Sequence, residues 1–360
     1  FSIAGVEFGG DLIPIFAGPN MVESKELIED VAINIKKSGA HFLRGGAFKP
    51  LTFPYRSEKY NETRELGIKW LVSAKEKAGI PIITEVMEER LVPLIAEAAD
   101  ILQIGTRNMQ NYPLLTECAK TQMPIMLKRH YGSSLRDWLG AAEYILAEGN
   151  KNVILCERGV SVPHTHRSSS RFLMDLQVIP AVKEICHLPI ISDPSHATFW
   201  APWVESMTLA SIAAGADGLL IEVHPDPKNA AVDPLQPLDF HQFKKLVNKS
   251  KKIATIDKFI TNNVHKKLQE TGKKMQSIWL EAATNSGVEI NVKGMYPMSY
   301  FSFEGDENQE KMTFFIQQMI KKGILASNRF YANYYHNDSH LEVYRKSALE
   351  IFTQISSFSN

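Results

Sequence analysis

What most constrains this chain is a rhythm of eight short apolar runs, each followed by a helical pattern or the start of one. The runs are 13–17 (IPIFA), 41–44 (HFLR), 81–85 (PIITE), 101–105 (ILQIG), 124–128 (PIMLK), 152–157 (NVILCE), Ile190-Ile191 and Leu219-Leu220-Ile221. Helical periodicity falls between them: on a stretch opened by Ser24 and closed by Gly39, then on 62–77, 89–98, 112–121, 134–148, the segment leading to Cys186, and one starting near Asp239. Short continuous apolar runs read as parallel strands buried on both faces. Strand–helix–strand units are right-handed, and this many of them close naturally into a barrel whose chemistry sits on the loops after the strands. A doubly wound sheet would normally carry a glycine-rich dinucleotide fingerprint after its first strand, which Gly18-Pro19-Asn20 does not supply. The expected class is therefore α/β: a (β/α)8 TIM barrel over 1–253, followed by a small α+β domain over 254–360. In the latter, a Lys-rich helical signal at 256–279, strand-like alternation at 288–292 and 299–303, and helical sequence at 309–322 and 340–356 break the barrel rhythm.

The 360 residues leave room for one barrel-sized domain plus a smaller one. Lys plus Arg total 40 and Asp plus Glu total 40, so no overall field draws the chain to nucleic acid or to an acidic membrane. Neither is expected as a partner. Cys118, Cys156 and Cys186 are too few and too scattered for a disulfide framework, which points to a reducing, cytoplasmic setting. No apolar run approaches a membrane span, and Phe1 does not open a signal peptide. Beginning with Phe rather than Met, the chain reads as a processed or trimmed piece.

Nearly every run ends in a charged or amide side chain: Asn20, Arg44 with Lys49, Glu85, Gln103 with Arg107, Lys128 with Arg129, Glu157 with Arg158, Asp193 with His196, then Glu222. Buried strands that stop in ionisable groups mark the carboxyl edge of an α/β enzyme's sheet. A structural use of so many would be costly, because each needs a partner or water. Six basic groups in one bowl repel one another when it is empty, which suits a multiply charged anion such as a phosphate or a carboxyphosphate. The plainer alternative pairs each cation with a neighbouring acid, but the bases outnumber the nearby acids. His196, Glu222 and Asp233 offer one imidazole and two carboxylates, a set that suits Mn, Fe, Zn or a similar ion. Their spacing is a weak guide, since three different loops supply them. His224, beside Pro225, reads as a turn cap, and Cys156, inside an apolar run, as a buried thiol.

These residues also carry a resemblance. The segments FAGPNMVES (16–24), LRGGAFKPLTFPY (43–55) and ILQIGTRNMQNY (101–112) are continued by MLKRHYGSS, AAEYILAEGNKNVILCERG, LPIISDPSHAT and GADGLLIEVHPDPKNA. Together they resemble the phosphoenolpyruvate-using aldol synthases that make 3-deoxy-2-keto sugar acids. Within these, residues 1–253 are most similar to the type I-beta 3-deoxy-D-arabino-heptulosonate 7-phosphate (DAHP) synthases. The resemblance implies a (β/α)8 barrel and a transferase that condenses phosphoenolpyruvate with a sugar aldehyde and releases phosphate. It places Arg107, Lys128, Arg158 and His196 on phosphoenolpyruvate, with Gln103 in the same set and Arg44 and Glu85 supporting the cluster. Lys49 would contact the carboxylate side and is a candidate proton donor, so catalysis is expected of Lys49, Glu85 and His196. His196, Glu222 and Asp233 match three of the four metal ligands of metal-dependent members. A homo-dimer or homo-tetramer is implied by the same analogy.

Two departures qualify this. The family's fourth ligand, a cysteine in a GPC motif, is Asn20 here. Asparagine has no thiolate and is a poor soft ligand. A metal-independent class of the related 3-deoxy-octulosonate 8-phosphate synthases has asparagine at this place. The cofactor expectation is accordingly a divalent ion (Mn, Mg or Zn) held weakly by the oxygen-rich remainder, or none. On the acceptor side, the family's KPRTS motif brings an arginine and a threonine to the phosphate of erythrose 4-phosphate, where this chain has Leu51 and Thr52. No leucine replaces a guanidinium that forks onto a phosphate. The loop GVSVPHTHRSSSRF after Arg158 is longer than the family's stretch; in it Arg171 matches an arginine of the family's TRN segment, and its asparagine neighbour has become Phe172. Either Arg56, Arg167 or Arg171 holds the phosphate, or the acceptor is a different aldehyde. The second is the expectation. Genuine use of erythrose 4-phosphate is one alternative, and a non-catalytic sugar-phosphate-binding or structural protein is another. Finally, 254–352 resembles the small C-terminal domain of class III pyridoxal-phosphate (PLP) aminotransferases, through GVEINVKGMYPMSYFSF and KKGILASNRFYANYYHNDSH. The large domain with the cofactor-binding lysine is absent, so no PLP is expected. A structural or oligomerising cap is the plainer role for this segment, and lining the barrel's mouth the sharper one.

Overall fold

The computed structural model describes residues 1–10, 12–48, 62–167 and 170–357. The chain divides into two units, Phe1–Thr255 and Ile256–Asn360. The first opens with a small antiparallel pair, β1 (Ser2–Ile3) and β2 (Val6–Glu7). Among the described residues, eight parallel strands then close into a barrel: β3 (Ile15–Gly18), β4 (Phe42–Arg44), β5 (Ile82–Val86), β6 (Ile101–Ile104), β7 (Ile125–Lys128), β8 (Val153–Glu157), β9 (Ile190–Ser192) and β10 (Gly218–Glu222), the last pairing back onto β3. All eight coincide with the apolar runs to within a few residues. Their side chains are buried throughout, as expected of strands covered by helices outside and packed side chains inside.

The helices show why the sequence alternates as it does. In α1 (Lys25–Ser38) the Ser24 side chain accepts the Leu27 N–H, Glu26 sits in the first turn, and Gly39 closes the helix at φ +102°. Ile28, Val31, Ala32 and Ile35 form its buried stripe, each large aliphatic side chain contributing about 1.5–3 kcal/mol by leaving water. Next come α2 (Arg64–Ala78) and α3 (Val92–Ala98). The helical pattern expected from residue 89 begins instead as a 3-10 turn, Glu89–Leu91, and becomes α-helical only where Pro93 occupies the first turn. After α4 (Tyr112–Lys120), α5 (Leu135–Ala147) starts with a reciprocal capping box between Ser134 and Asp137. Then follow α6 (Val178–Ile185), the five-residue α7 (Pro194–Thr198) and α8 (Ala201–Ala213).

Inside the barrel, Phe16, Phe42, Ile83, Ile101, Met126, Ile154, Cys156, Ile191 and Leu220 pack with Ile3 and Phe8 from the N-terminal pair. The Phe8 ring lies 6.0 Å from Phe16 and 5.9 Å from Phe42, which stack on each other at 4.5 Å. These rings close the end of the barrel where the strands begin. Cys156 is part of this packing, and burial pushes its thiol well above the ordinary range. At the opposite end Gly18 has φ +142°, and a Cβ there would lie 2.1 Å from the Arg44 carbonyl oxygen. Only glycine lets the two strands run on side by side.

Where one helix was expected over 256–279 there are two, α9 (Phe240–Thr261) and α10 (Val264–Ser286), separated at Asn263, whose φ of +49° no α-helix accommodates. The second unit holds an antiparallel sheet of β11 (Ile290–Met295), β12 (Met298–Phe303) and β13 (Arg329–Tyr331), with α11 (Asn308–Lys321) and α12 (Asp338–Ser356). Its own core gathers Trp279, Phe301, Phe303, Phe315 and Phe352. Among the described residues, no helix is long and apolar enough to cross a membrane.

Candidate active site

Side chains on a strand alternate between its two faces. On seven of the eight strands the same inward column therefore ends in a polar side chain two residues beyond its last apolar one. Phe42 leads to Arg44, Ile83 to Glu85, Ile101 to Gln103, Met126 to Lys128, Cys156 to Arg158, Ile191 to Asp193 and Leu220 to Glu222. The parallel register brings all of these to one rim. There Arg44, Glu85, Gln103, Lys128 and Arg158 line a single bowl, joined by Asn20, Arg107, Tyr131, Arg171, Phe172, His196 and Asp233 from the following loops.

The charges in the bowl differ in how they are held. Lys128 Nζ lies 2.7 Å from Asp193 Oδ2, and Asp193 Oδ2 lies 2.9 Å from His196 Nδ1. Burial opposes the charge on Asp193, but the His196 and Lys128 groups beside it prevail and hold its carboxyl well below the usual carboxylate range. Burial pulls His196 well below its ordinary value, against the pull of Asp193. A neutral imidazole that donates Nδ1–H to an ionised Asp193 satisfies both, and turns Nε2 toward Glu222 Oε2 at 3.7 Å. Gln103 donates to Glu85 at 3.5 Å, and its own Oε1 is buried with no hydrogen-bond partner among the described residues.

Arg158 is the odd one out. It is 7 % exposed, its guanidinium carbon lies 4.1 Å over the Phe172 ring, and its Nε and Nη1 have no hydrogen-bond partner among the described residues. Arg158 thus lines the bowl as a buried cation with incomplete hydrogen bonding, an arrangement whose charge favours an anion beside it. Arg129, pooled with Lys128 in the sequence reading, does not enter the bowl. It donates to Glu157 at 3.1 Å, to Asp175 at 2.8 Å and to the Ser133 carbonyl at 3.1 Å, so it is structural.

Residues 2–257 match the DAHP synthetase I family. The chain belongs to that family. It is 39 % identical over 252 residues to the phospho-2-dehydro-3-deoxyheptonate aldolase of Thermotoga maritima, covering 70 % of this chain and 73 % of that one. The 2-dehydro-3-deoxyphosphooctonate aldolase of Acinetobacter baylyi is 28 % identical over 268 residues, covering 68 % of this chain and 89 % of the relative. The crystal structure of the Thermotoga maritima DAHP synthase superposes with a TM-score of 0.67 at 38 % identity, over 71 % of this chain and 73 % of that one. As a DAHP synthase family member the chain is an enzyme, of the transferase class.

Residues expected to hold the DAHP synthase metal are arranged otherwise here. Asn20 donates from Nδ2 to Asp233 Oδ2 at 3.0 Å and accepts a short bond from Arg44 Nη2. Arg44 Nη1 stands 3.7 Å from Glu222 Oε2, which also accepts from Gln236 Nε2. An amide N–H and a guanidinium thus occupy the space between the carboxylates. Among the described residues no three of His, Cys, Asp and Glu come together as a ligand set. With Asn20 bonded to Asp233, Arg44 set against Asn20 and Glu222, and His196 turned to Asp193, the residues as placed do not fit a divalent ion.

Lys49, Leu51, Thr52 and Arg56 lie outside the described residues. Arg171 reaches the bowl, with Nη2 3.8 Å from Asp233 Oδ1 and its guanidinium over Phe199 at 4.4 Å. Arg167 does not: its guanidinium carbon lies 3.5 Å over the Trp200 ring, away from the residues that line the bowl. Tyr131, which sequence reasoning missed, lines the bowl with its ring 5.5 Å from Phe172. Its only signal was its place in the loop just beyond Lys128. His224 accepts the Asp226 N–H at 3.0 Å.

Proposed function

We propose that the chain condenses phosphoenolpyruvate with a sugar aldehyde to give a 3-deoxy-2-keto sugar acid and inorganic phosphate, with an acceptor other than erythrose 4-phosphate. The observation that carries the first half is Arg158, buried and short of partners at the head of a bowl shared with Arg107, Lys128 and Arg44. Such a bowl complements a carboxylate and a phosphate on one small molecule. The second half is supported by Leu51, where the family's phosphate-binding arginine would stand.

In this reading the cations fix phosphoenolpyruvate against the carbonyl. C3 of the enol ester attacks the aldehyde carbon, and the carbonyl oxygen takes up a proton, for which Lys49 is the candidate donor. Water adds to C2, oriented by Glu85 or by the neutral Nε2 of His196, and the resulting hemiketal phosphate expels inorganic phosphate by C–O cleavage. No step is routed through a metal, because the Asn20, Arg44 and Glu222 network does not fit one. A second reading, true DAHP synthase activity, has one observation in its favour: Arg171 lines the same bowl and could take the acceptor phosphate.

Phosphate release measured with phosphoenolpyruvate and a panel of aldoses decides between them. The panel includes erythrose 4-phosphate, arabinose 5-phosphate and unphosphorylated sugars. Fastest turnover with something other than erythrose 4-phosphate is expected. Fastest turnover with erythrose 4-phosphate would establish the second reading, and none with any aldose would sink both.

For the second unit, read as resembling an aminotransferase small domain, we infer a structural or oligomerising role with no PLP; its separate core supports only that it packs as a unit of its own. A homo-dimer or homo-tetramer is the assembly proposed, which light scattering would check.

A further inference from the structure

The antiparallel sheet of the second unit ends in an open strand. Its order is β11-β12-β13, so one side of β11 (Ile290–Met295) meets no other strand among the described residues. The phase of the hairpin fixes which backbone groups lie on that side. Glu304 N–H donates to the Glu289 carbonyl at 3.0 Å, in line with the register that sets Asn291 against Ser302 and Lys293 against Tyr300. In an antiparallel ladder the backbone groups of successive residues point to alternate sides. Those of Glu289, Asn291 and Lys293 therefore turn to β12. Those of Ile290 and Val292 turn to the open side, where no hydrogen bond meets them among the described residues. The open stretch is bounded at both ends: Val288 N–H is taken by the Ala283 carbonyl at 3.1 Å, and the Gly294 carbonyl by Gln276 Nε2 at 3.4 Å.

An unpaired edge is a template for another strand, and the side chains show which strand fits. Ile290 and Val292 pack against the core of the unit, so Glu289, Asn291 and Lys293 share the opposite, solvent face. Let a second β11 run antiparallel to the first about a two-fold axis at Asn291. Ile290 of each strand then faces Val292 of the other, and each such pair can exchange both N–H···O bonds across the seam. The same register sets Glu289 of each strand opposite Lys293 of the other, on both sides of the axis and on one face. Moving the axis to Ile290 puts Lys293 opposite Gly287, and moving it to Val292 puts it opposite Asn291. Either shift loses both charge pairs.

We propose that two copies of this chain join edge to edge at β11, in the register centred on Asn291, so that one sheet runs through both second units. The inference deepens the homo-dimer or homo-tetramer proposed above by naming a contact, and it is independent of the reaction in the bowl. A monomer in light scattering removes both the assembly and the contact. An oligomer that fails the cross-linking below keeps the assembly and loses the contact.

The test is a disulfide across the axis in the full chain, with oxidised glutathione as oxidant and a non-reducing gel as readout. Asn291→Cys sets two thiols in a non-hydrogen-bonded pair, with Cα atoms about 4.5 Å apart, inside the span of about 4.4–6.8 Å that a disulfide bridges. Ser302→Cys, the neighbour on β12, is the control: three strand spacings, about 14 Å, would separate its two thiols. Asn291→Cys should cross-link into a covalent dimer at least about tenfold faster than Ser302→Cys or the parent. Adding Lys293→Glu should slow that reaction about tenfold, because like charges then oppose each other twice, and adding Glu289→Lys as well should restore it. The proposal is overturned if Asn291→Cys cross-links no faster than the control, as it would were another protein's strand the occupant of this edge. It is equally overturned if Lys293→Glu leaves the rate unchanged, or if the double reversal fails to recover it. All of these substitutions lie on the solvent face of the strand, and the rescue by the double reversal separates loss of the contact from loss of the fold.

Discussion

Arg158 and Lys128 stand at the ends of neighbouring strands, yet they are different kinds of cation. Lys128 is already matched by Asp193, whereas Arg158 rests on a phenyl ring with two N–H groups facing no acceptor. Lysine at position 158 would keep the charge but lose both the fork and the guanidinium's contact with the Phe172 ring. Arg158→Lys is therefore expected to raise the KM for phosphoenolpyruvate by roughly 10- to 100-fold, about 1.4–2.7 kcal/mol, with little change in Tm. Initial rates check this, and an unchanged KM would remove the arginine from substrate binding. A second residue makes a statement about pH. His41 Nδ1 accepts the Ile15 N–H at 3.0 Å, and burial, aided by Lys251 and Lys36, lowers its pKa. The unfolded chain then binds the proton more readily, so the stability from this group is complete above about pH 6.5 and falls as the pH drops below it. His41→Asn keeps an acceptor but no titration. Its urea midpoint should fall less steeply than the parent's between pH 7 and pH 5, the difference being at most about 1.4 kcal/mol per pH unit. The sequence could show Arg44, Glu85, Lys128 and Arg158 because each closes an apolar run. It could not separate Lys128 from Arg129, since adjacent residues belong to the same run but to opposite faces. Register does so: Lys128 pairs with Cys156, which sets Arg129 beside Glu157 on the other face.

At the level of elements, the turn after β6 has a tolerance measured in fractions of an ångström. A Cβ on Gly105 would lie 1.8 Å from Glu85 Oε1. The glycine is therefore there to let the Glu85 carboxylate occupy its place on the rim. Gly105→Ala is expected to leave the barrel folded, with a small shift in Tm, and to lower kcat by about tenfold or more if Glu85 orients the attacking water. Wild-type turnover in that variant would take Glu85 out of the reaction. The barrel strands were legible because a parallel strand buried on both faces leaves an apolar run that needs no periodicity to be seen. The short strands were not. β1, β2 and β13 have two or three residues each, too few to show an alternation. The break between α9 and α10 was hidden for another reason: Asn263 adopts a left-handed conformation inside a sequence that is helical on both sides.

At the scale of the molecule, Phe1–Thr255 and Ile256–Asn360 each have a hydrophobic core of their own. Scanning calorimetry should accordingly resolve two transitions. Phosphoenolpyruvate at about 100 times its Kd should stabilise one of them by about 2.7 kcal/mol and leave the other where it was. A single transition that moves as a whole would show that the two cores melt together. The bowl itself lies over a barrel whose interior is packed solid and whose far end is plugged by Phe8, Phe16 and Phe42. A vessel stoppered at its foot fills and empties by its mouth alone. The plug therefore leaves no passage along the barrel axis, so ligands of the bowl exchange with solvent at the rim where the strands end.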